Sequence, residues 1–356
     1  MSKYLEYFEG AFDSTVADKM KPENKPYVAY SKIDGVVYTA NVVIPNYLCL
    51  EPLEENNQLA LFKLGEFSNI KYSFDKNNWN DFPVNVDFAN PAYITVDKPI
   101  YLRGNNPNGV FNMNEGQGCK LVSLGRYNVS GDITTLLNEV GNVRDLTPYG
   151  TYGVFSNLFG EMGIPCVDIV DASKLILPAT TLAEKCYDRM FFGCTSLVTA
   201  PELPATTLAN YCYQDMFYGC TSLTTAPELP ATILAEGCYY DMFNGCTFLV
   251  APELPATTLA EMCYQFMFSG CTSLTIAPEL PATELAENCY AGMFKDCTSL
   301  NYIKCLATNI SASYCTISWV DSVSSTGTFV KHPDMNDWTT GSSGIPSGWT
   351  IENAEL

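Results

Sequence analysis

LPATTLANYCYQDMFYGCTSLTTAPE, residues 203–228, is one of five near-identical units that follow one another from residue 177 to residue 303. The other units begin at Leu177, Leu229, Leu254 and Leu280, so the motif recurs every 25 or 26 residues. A fixed period of this length is typical of a solenoid, in which each unit is too small to bury its own apolar face and stacks on its neighbours. The chain is therefore expected to be organised around one stacked core.

A helix is predicted inside each unit from the spacing of its apolar residues. In the second unit these residues lie four apart, as Leu208, Cys212, Met216 and Cys220. A four-residue spacing places side chains on one face of a helix. The helix is expected to be short, and Thr181 with Glu184, like Thr258 with Glu261, has the spacing of a capping box at its start.

The TSLxxAPEL part of each unit is predicted to be an extended arm, with leucines such as Leu223 and Leu229 pointing inward. Arms stacked at about 4.8 Å per strand would make a parallel sheet. The predicted fold class is therefore α+β. It combines a C-terminal right-handed leucine-rich-repeat solenoid, with a short helix and a β-arm in each repeat of about 26 residues, and an N-terminal β-sandwich-like domain.

The cysteine pattern favours packing over chemistry. Eleven of the 15 cysteines fall into two registers of the repeat: Cys186, Cys212, Cys238, Cys263, Cys289 and Cys315 in one, and Cys194, Cys220, Cys246, Cys271 and Cys297 in the other. Within a unit the two registers are eight residues apart, about 12 Å along a helix, which is too far for a disulfide. We expect two buried ladders of free thiols, with bridges between neighbouring rungs as the alternative.

The segments before the repeats are read from their local patterns. Residues 1–45 are predicted to form an extended segment with a hairpin, because β-prone runs flank Asp34-Gly35, a pair that suits a type I′ turn. Residues 46–130 contain short β-prone runs between polar turns, which predicts an antiparallel sandwich-like domain. Residues 131–176 are assigned to a linker helix, with Ser130 as its N-cap, and to a degenerate first repeat.

Both ends of the repeat array are expected to be atypical, because a stack must stop there. In the degenerate first repeat, Phe155, Leu158 and Phe159 stand where Tyr187, Met190 and Phe191 stand in the first clear unit. Residues 304–356 are read as a degenerate repeat and a C-terminal cap. Their three tryptophans, Trp319, Trp338 and Trp349, are predicted to seal the open end of the core.

Composition excludes several classes of function. The net charge of −20 argues against nucleic acid and anionic lipid as partners, since both favour Lys and Arg. No apolar run is long enough for a membrane span, and no signal peptide is visible in the first residues. With His332 as the single histidine, no CxxC pair, no GxSxG and no P-loop, neither zinc ligation nor enzymatic activity is predicted, and no cofactor is expected.

The stretch MFYGCTSLTTAPELP resembles the leucine-rich repeats of BspA-like bacterial surface proteins, known from Treponema and Bacteroidales. The family's unit has an aromatic residue, a Gly-Cys pair, Ser-Leu and a β-arm that ends at proline. The resemblance covers about residues 145–350, although the period of this chain is slightly longer than the family's usual unit. It implies a non-catalytic role at the cell surface or outside the cell, in adhesion or partner-protein binding.

Three features are candidates for an interaction surface. The first is a row of glutamates in successive arms, Glu202, Glu228, Glu253 and Glu279. Close like charges in such a row favour a basic partner or a cation, with calcium as one version and a solvated edge as the plain alternative. The second is the position that varies between otherwise similar repeats, occupied by Tyr218, Asn244, Ser269 and Lys295.

The third candidate is Trp79 in the β-rich domain, which would serve a glycan-binding module. The tyrosines that follow the first cysteine of every unit are expected to pack in the core rather than stack on a glycan. The leading hypothesis is therefore a surface protein that binds another protein. A glycan-binding module and a structural or phage-type appendage protein are the alternatives.

Overall fold

The computed structural model describes residues 27–33, 36–42, 45–64, 69–85, 92–112, 117–150, 153–160 and 167–355. The chain divides into two compact units, Met1–Asn46 and Tyr47–Leu356. In the first unit, β1 (Tyr27–Ile33) pairs antiparallel with β2 (Val36–Val42), and Ile33 lies opposite Val36. The two strands of the predicted hairpin are confirmed, while Asp34-Gly35 lies outside the described residues.

The second unit begins with two sheets. Its first strands are β3 (Leu48–Pro52), β4 (Asn57–Leu64), β5 (Ile70–Ser73), β6 (Asn80–Asp81), β7 (Val84–Asn85), β8 (Ile94–Val96), β9 (Ile100–Gly104), β10 (Phe111–Asn112), β11 (Gln117–Leu124) and β12 (Arg126–Asp132). One sheet has the order β10-β11-β4-β7, with β8 on β4, and the other has the order β12-β3-β9-β5-β6. Buried residues of both sheets, such as Leu50 and Leu61, belong to one core.

The helix predicted after Ser130 is shorter and starts later than expected. Ser130 lies inside β12, and α1 spans Thr135–Asn138, the one α-helix among the described residues. Asp132 organises this corner, because its carboxylate accepts hydrogen bonds from the backbone N–H and the hydroxyl of Thr134 at 2.8 and 2.6 Å. Ser130 as an N-cap is therefore wrong. A 3-10 helix, Thr147–Tyr149, follows.

The repeats are joined directly to the N-terminal sheet. Strand β13 (Asp168–Ile176) pairs in parallel with β12, and the arms of successive repeats continue from it through single parallel bridges. These bridges join Asp171, Thr199, Thr225 and Val250, and further along Ile276 and Tyr302. The last turns of the stack close in a parallel sheet of β14 (Tyr302–Cys305), β15 (Thr328–Lys331) and β16 (Thr350–Asn353).

The predicted helix of each repeat is absent, so the α+β fold class with one helix per leucine-rich repeat is wrong. Residues 184–193, 210–219, 236–245, 261–270, 287–296 and 313–322 each form an unbroken run of turns, which we call the turn ribbon. Alternate N–H groups of a ribbon bond to different partners. Cys212 N–H donates to the carbonyl of Ala209 in its own repeat, and Tyr213 N–H donates to that of Cys238 in the next.

Backbone geometry explains why the ribbon is not a helix. Every fourth residue has a positive φ, as Tyr211 (55°), Asp215 (53°) and Gly219 (69°) do in the second repeat. A left-handed conformation costs a non-glycine residue about 1–2 kcal/mol and does not occur inside an α-helix. The inter-repeat hydrogen bonds compensate for this cost. Without a helix the capping boxes at Thr181 and Thr258 have no role, and both threonines instead form inter-repeat bridges.

The ribbon nevertheless buries the side chains that the spacing predicted. Cys212, Met216 and Cys220 are fully buried, and Leu208 packs against the same core. The repeat tyrosines and phenylalanines form two rows of stacked rings, for example Tyr213 on Tyr239 at 5.9 Å. The expectation that the repeat tyrosines are core residues is confirmed.

Both ends of the aromatic rows match the predictions. Phe155 stacks on Tyr187 at 5.8 Å and Phe159 stacks on Phe191 at 5.4 Å, so the degenerate first repeat is confirmed at these positions. At the other end, the fully buried Trp319 stacks on Tyr290 at 6.2 Å, and Trp338 stacks on Trp319 at 5.5 Å. Tryptophans therefore cover the last rung of the core, as expected.

Candidate interaction surfaces

The predicted glutamate row is exposed on the arms. Glu202, Glu228, Glu253 and Glu279 all face solvent. The bridge between Leu280 and Cys305 places Lys304 beside Glu279, and the Lys304 ammonium lies 3.0 Å from the Glu279 carboxylate. The row of four carboxylates therefore ends in an ion pair with the next turn of the stack. This exposed ion pair contributes at most about 1 kcal/mol to the stability of the fold. It matters mainly for the pattern of charge along the arms.

An apolar surface that the sequence reading missed lies on the same arms. Phe248, Val250 and Ile276 have 64%, 65% and 61% of their surface exposed. An open groove runs between the third and fourth arms, and Val250, Ile276, Glu253 and Glu279 are among the residues that line it. We call Phe248, Val250, Ile276 and these two glutamates the arm face. The signal was present in the sequence, because the first two repeats carry Thr199 and Thr225 where Val250 and Ile276 stand.

The variable position lies on the turn ribbon and not on the arms. Tyr218, Asn244 and Lys295 are half-buried and Ser269 is buried, so the row is less exposed than a variable surface requires. Its first members interact with their surroundings. Tyr218 stacks on Phe192, with ring centroids 4.7 Å apart and planes within 2°. Asn244 donates from its amide nitrogen to the carboxylate of Asp241 at 2.6 Å.

Beside this row is a polar depression, which we call the corner pocket. Its walls come from the first three ribbons and include Arg189, Gln214, Asp215, Tyr218, Tyr240 and Asp241. Arg189 Nη2 lies 2.9 Å from Asp215 Oδ2, and Gln214 Nε2 donates to the same oxygen at 3.1 Å. Arg189 and Asp215 belong to different repeats, and the one-repeat offset between ribbons brings them together.

Burial changes the acidity of the carboxyl groups around the corner pocket. Desolvation raises the pKa of Asp188 to about 7, and the Arg189 guanidinium opposes that rise. Burial also raises the pKa of Asp241, to about 6, and that of Asp215. Asp188 is 1% exposed, and neither of its oxygens has a hydrogen-bond partner. Arg189 Nη1 is 3.9 Å from the Asp188 carboxylate, which is beyond hydrogen-bond distance.

The ring of Trp79 is less accessible than that of a tryptophan that stacks on a glycan. The guanidinium carbon of Arg103 lies over its ring, 4.2 Å from the centroid, and Tyr47 meets it edge-on at 4.7 Å. The indole N–H donates to the carbonyl of Lys76 at 3.0 Å. One ring face of Trp79 is therefore already covered by a cation, which leaves less room for a sugar on this side chain.

The repeat cysteines are buried, as the ladder prediction states. Desolvation raises the pKa of Cys212, Cys246 and Cys263 to about 12, so these thiols are poor nucleophiles at neutral pH. Thiols of the second register donate to a phenylalanine carbonyl of the preceding repeat, as Cys220 does to Phe191 at 3.2 Å. Both registers therefore act as packing elements.

The described ranges contain neither a metal-binding cluster nor a membrane-spanning helix. Within them, no cluster of three or more His, Cys, Asp or Glu side chains could hold a metal ion. No helix in this part of the chain has the length and apolar character needed to cross a membrane. The Nδ1 of His332 accepts the backbone N–H of Asp334 at 3.2 Å, in a surface turn.

Comparison with known proteins adds no relative. No protein-family model matches the chain, and neither a curated protein nor a solved structure matches it. The resemblance to BspA-like repeats therefore depends on the repeat residues alone.

Proposed function

We propose that the chain is a non-catalytic binding protein that receives a partner protein on the arm face of its third and fourth repeats. Cell-surface adhesion is the setting that the repeat resemblance implies. The observation that carries the proposal is the groove in which exposed Val250 and Ile276 lie beside Glu253 and Glu279.

The apolar side chains supply the reason for binding. A folded protein gains about 1.5–3 kcal/mol when a side chain such as Val or Ile is fully buried, so Val250 and Ile276, exposed on one groove, are costly to leave in water. Isolated exposed apolar residues are common on surfaces, whereas neighbouring ones mark interaction sites. Thr199 and Thr225 in the first two arms show that the fold itself does not require an apolar residue here.

The glutamates define the chemistry of the partner. Glu253 and Glu279 line the groove, and Glu228 continues the row on the arm before it. Complementary charge raises association rates and excludes wrong partners more than it raises affinity. The partner surface that fits is therefore an extended segment in which apolar residues alternate with Lys or Arg.

The test uses peptides and a variant built from the chain's own repeats. The triple variant Phe248→Ser, Val250→Thr and Ile276→Thr places on the arm face residues that other repeats carry, which preserves the fold. The matched control is Ile233→Thr, because Ile233 is 68% exposed and lies outside the groove. Binding is measured by calorimetry against peptides of alternating aliphatic and basic residues, and against the same peptides with glutamate in place of the basic residues.

We expect the basic peptides to bind the parent chain, and the triple variant to bind them at least about tenfold more weakly. The Ile233→Thr control should bind as the parent does, and the acidic peptides should not bind. Equal binding of basic and acidic peptides, or an unchanged affinity of the triple variant, would show that the arm face is not the docking surface.

A further inference from the structure

We infer that the corner pocket is a second binding site, and that its ligand is a neutral saccharide. The site lies on the turn ribbons of the first three repeats, and its residues are separate from those of the arm face. The inference therefore goes beyond the proposed protein-binding function and does not depend on it.

The ring of Tyr218, which lines the pocket, is the first element of the site. Phe192 covers one face of Tyr218, with ring centroids 4.7 Å apart. The next residue of the row is Asn244, whose amide turns to Asp241, so no ring in the described part of the chain stacks on the second face of Tyr218. The negatively charged face of an aromatic ring attracts the weakly positive C–H groups on one side of a pyranose.

Planar polar side chains are the second element. Arg189 uses one nitrogen on Asp215 and has further N–H donors, while Gln214 donates to Asp215 and keeps its carbonyl oxygen as an acceptor. Asp241 accepts from Asn244 and has further lone pairs. A few placed donors and acceptors beside aromatic rings can fix the orientation of a hydroxyl-rich ligand.

The mixed charges of the pocket favour a neutral ligand over a strongly charged or an apolar one. An anion such as a phosphate would meet the carboxylates of Asp215 and Asp241, and an organic cation would meet the guanidinium of Arg189. An apolar ligand would bury these polar groups without partners, which costs about 1–3 kcal/mol for each. A neutral ligand with many hydroxyl groups avoids all three penalties.

A buried carboxyl group without a hydrogen-bond partner lies beside the site. Asp188 lies directly before Arg189 in sequence, is 1% exposed, and has two oxygens without a hydrogen-bond partner. Such groups are rare in folded proteins and concentrate at functional sites, where they are maintained at a cost to stability. Asp188 therefore places an unusual buried group next to Arg189, which lines the pocket.

The experiment is saturation-transfer difference NMR on the full chain. The probes are the methyl glycosides of glucose, galactose, mannose, fucose and N-acetylglucosamine, with choline and inorganic phosphate as probes of the disfavoured classes. Two variants copy residues that other repeats carry at the same positions, Tyr218→Asn and Tyr240→Gln. The matched control is Lys295→Asn, which changes the same row of the repeat outside the pocket.

We expect saturation transfer to at least one glycoside, strongest at the C–H groups of one sugar face, and none to choline. Tyr218→Asn should weaken that binding about fivefold or more, and Lys295→Asn should leave it unchanged. The arm-face triple variant should bind the sugar as the parent does, which separates the two functions. No transfer to any glycoside, transfer that Tyr218→Asn leaves unchanged, or stronger binding of choline or phosphate would overturn the inference.

Discussion

Replacing Asp188 by asparagine should stabilise the protein, and the gain should grow with pH. The folded-state pKa of Asp188 is about 7, against 3.8 for an exposed aspartic acid, because burial disfavours its charged form. Between these two values the folded chain retains a proton that the unfolded chain has released. Stability is therefore highest at low pH and falls as the pH rises through about 7.

The magnitude follows from the size of that shift. A difference of about three pH units, at 1.36 kcal/mol per unit, corresponds to about 4 kcal/mol. Asparagine has the same shape and no charge, so the Asp188→Asn variant does not lose this stability as the pH rises. The isoelectric point of about 4.3 makes pH 4 unsuitable, and the series therefore runs from pH 5 to pH 8. Over that range about 3 kcal/mol of the difference should develop.

Urea unfolding followed by tryptophan fluorescence measures the effect at each pH. The raised pKa values of Asp215 and Asp241 remain in the variant, so its stability should still decline with pH, but less steeply. Asp296→Asn is the matched control, because Asp296 is an exposed residue with positive φ on the fifth ribbon, and its effect should stay within about 0.5 kcal/mol. A loss of stability in Asp188→Asn that is equal at pH 5 and pH 8 would refute the buried, unpartnered placement of this carboxyl group.

Three further predictions test the packing of the stack. Leu223→Ala should lower the free energy of unfolding by about 2–5 kcal/mol, because Leu223 is fully buried, whereas the exposed Glu228→Ala should have little effect; equal urea midpoints would contradict this placement. Gly237→Ala should destabilise the protein, because a Cβ there would lie 2.3 Å from the ring of Tyr211. Adding Tyr211→Ala should recover part of the lost stability, and a double-mutant cycle that shows no coupling between the two sites would contradict this contact. Thiol reagents should label the repeat cysteines slowly in the folded chain and rapidly in urea, since burial raises the pKa of thiols such as Cys212, and fast labelling without urea would contradict the buried ladders.

The stacked core was predictable from sequence because identical side chains recur at a fixed interval. The burial of Cys212, Met216 and Cys220 follows from their four-residue spacing, whichever backbone carries them. That spacing could not distinguish an α-helix from the turn ribbon, because the turn ribbon also returns to the same face every fourth residue. The missed signal is a second series at the same interval, which contains residues that adopt positive φ readily, such as Asp215, Gly219 and Asn288.

The candidate surfaces also differ in how far the sequence predicts them. The exposure of the glutamate row followed from its phase relative to the inward leucine, and the structure confirms that exposure. The corner pocket could not be predicted, because it depends on the one-repeat offset that brings Arg189 to Asp215. A helix assumed in each repeat would place these two side chains differently. Trp79 was chosen as an aromatic residue in a turn, and the neighbouring Arg103 and Tyr47 that engage it come from other parts of the sheet.

The central claim is that the repeats are stacked turn ribbons whose alternate N–H groups bond to the next repeat. Scalar couplings across hydrogen bonds, measured by NMR on the deuterated, 15N- and 13C-labelled chain, test it directly. We expect the amide nitrogen of Tyr213 to couple to the carbonyl carbon of Cys238, since these groups form a hydrogen bond of 3.1 Å. A coupling from Tyr213 to the carbonyl of Ala209, four residues earlier, would show a helix and contradict the account.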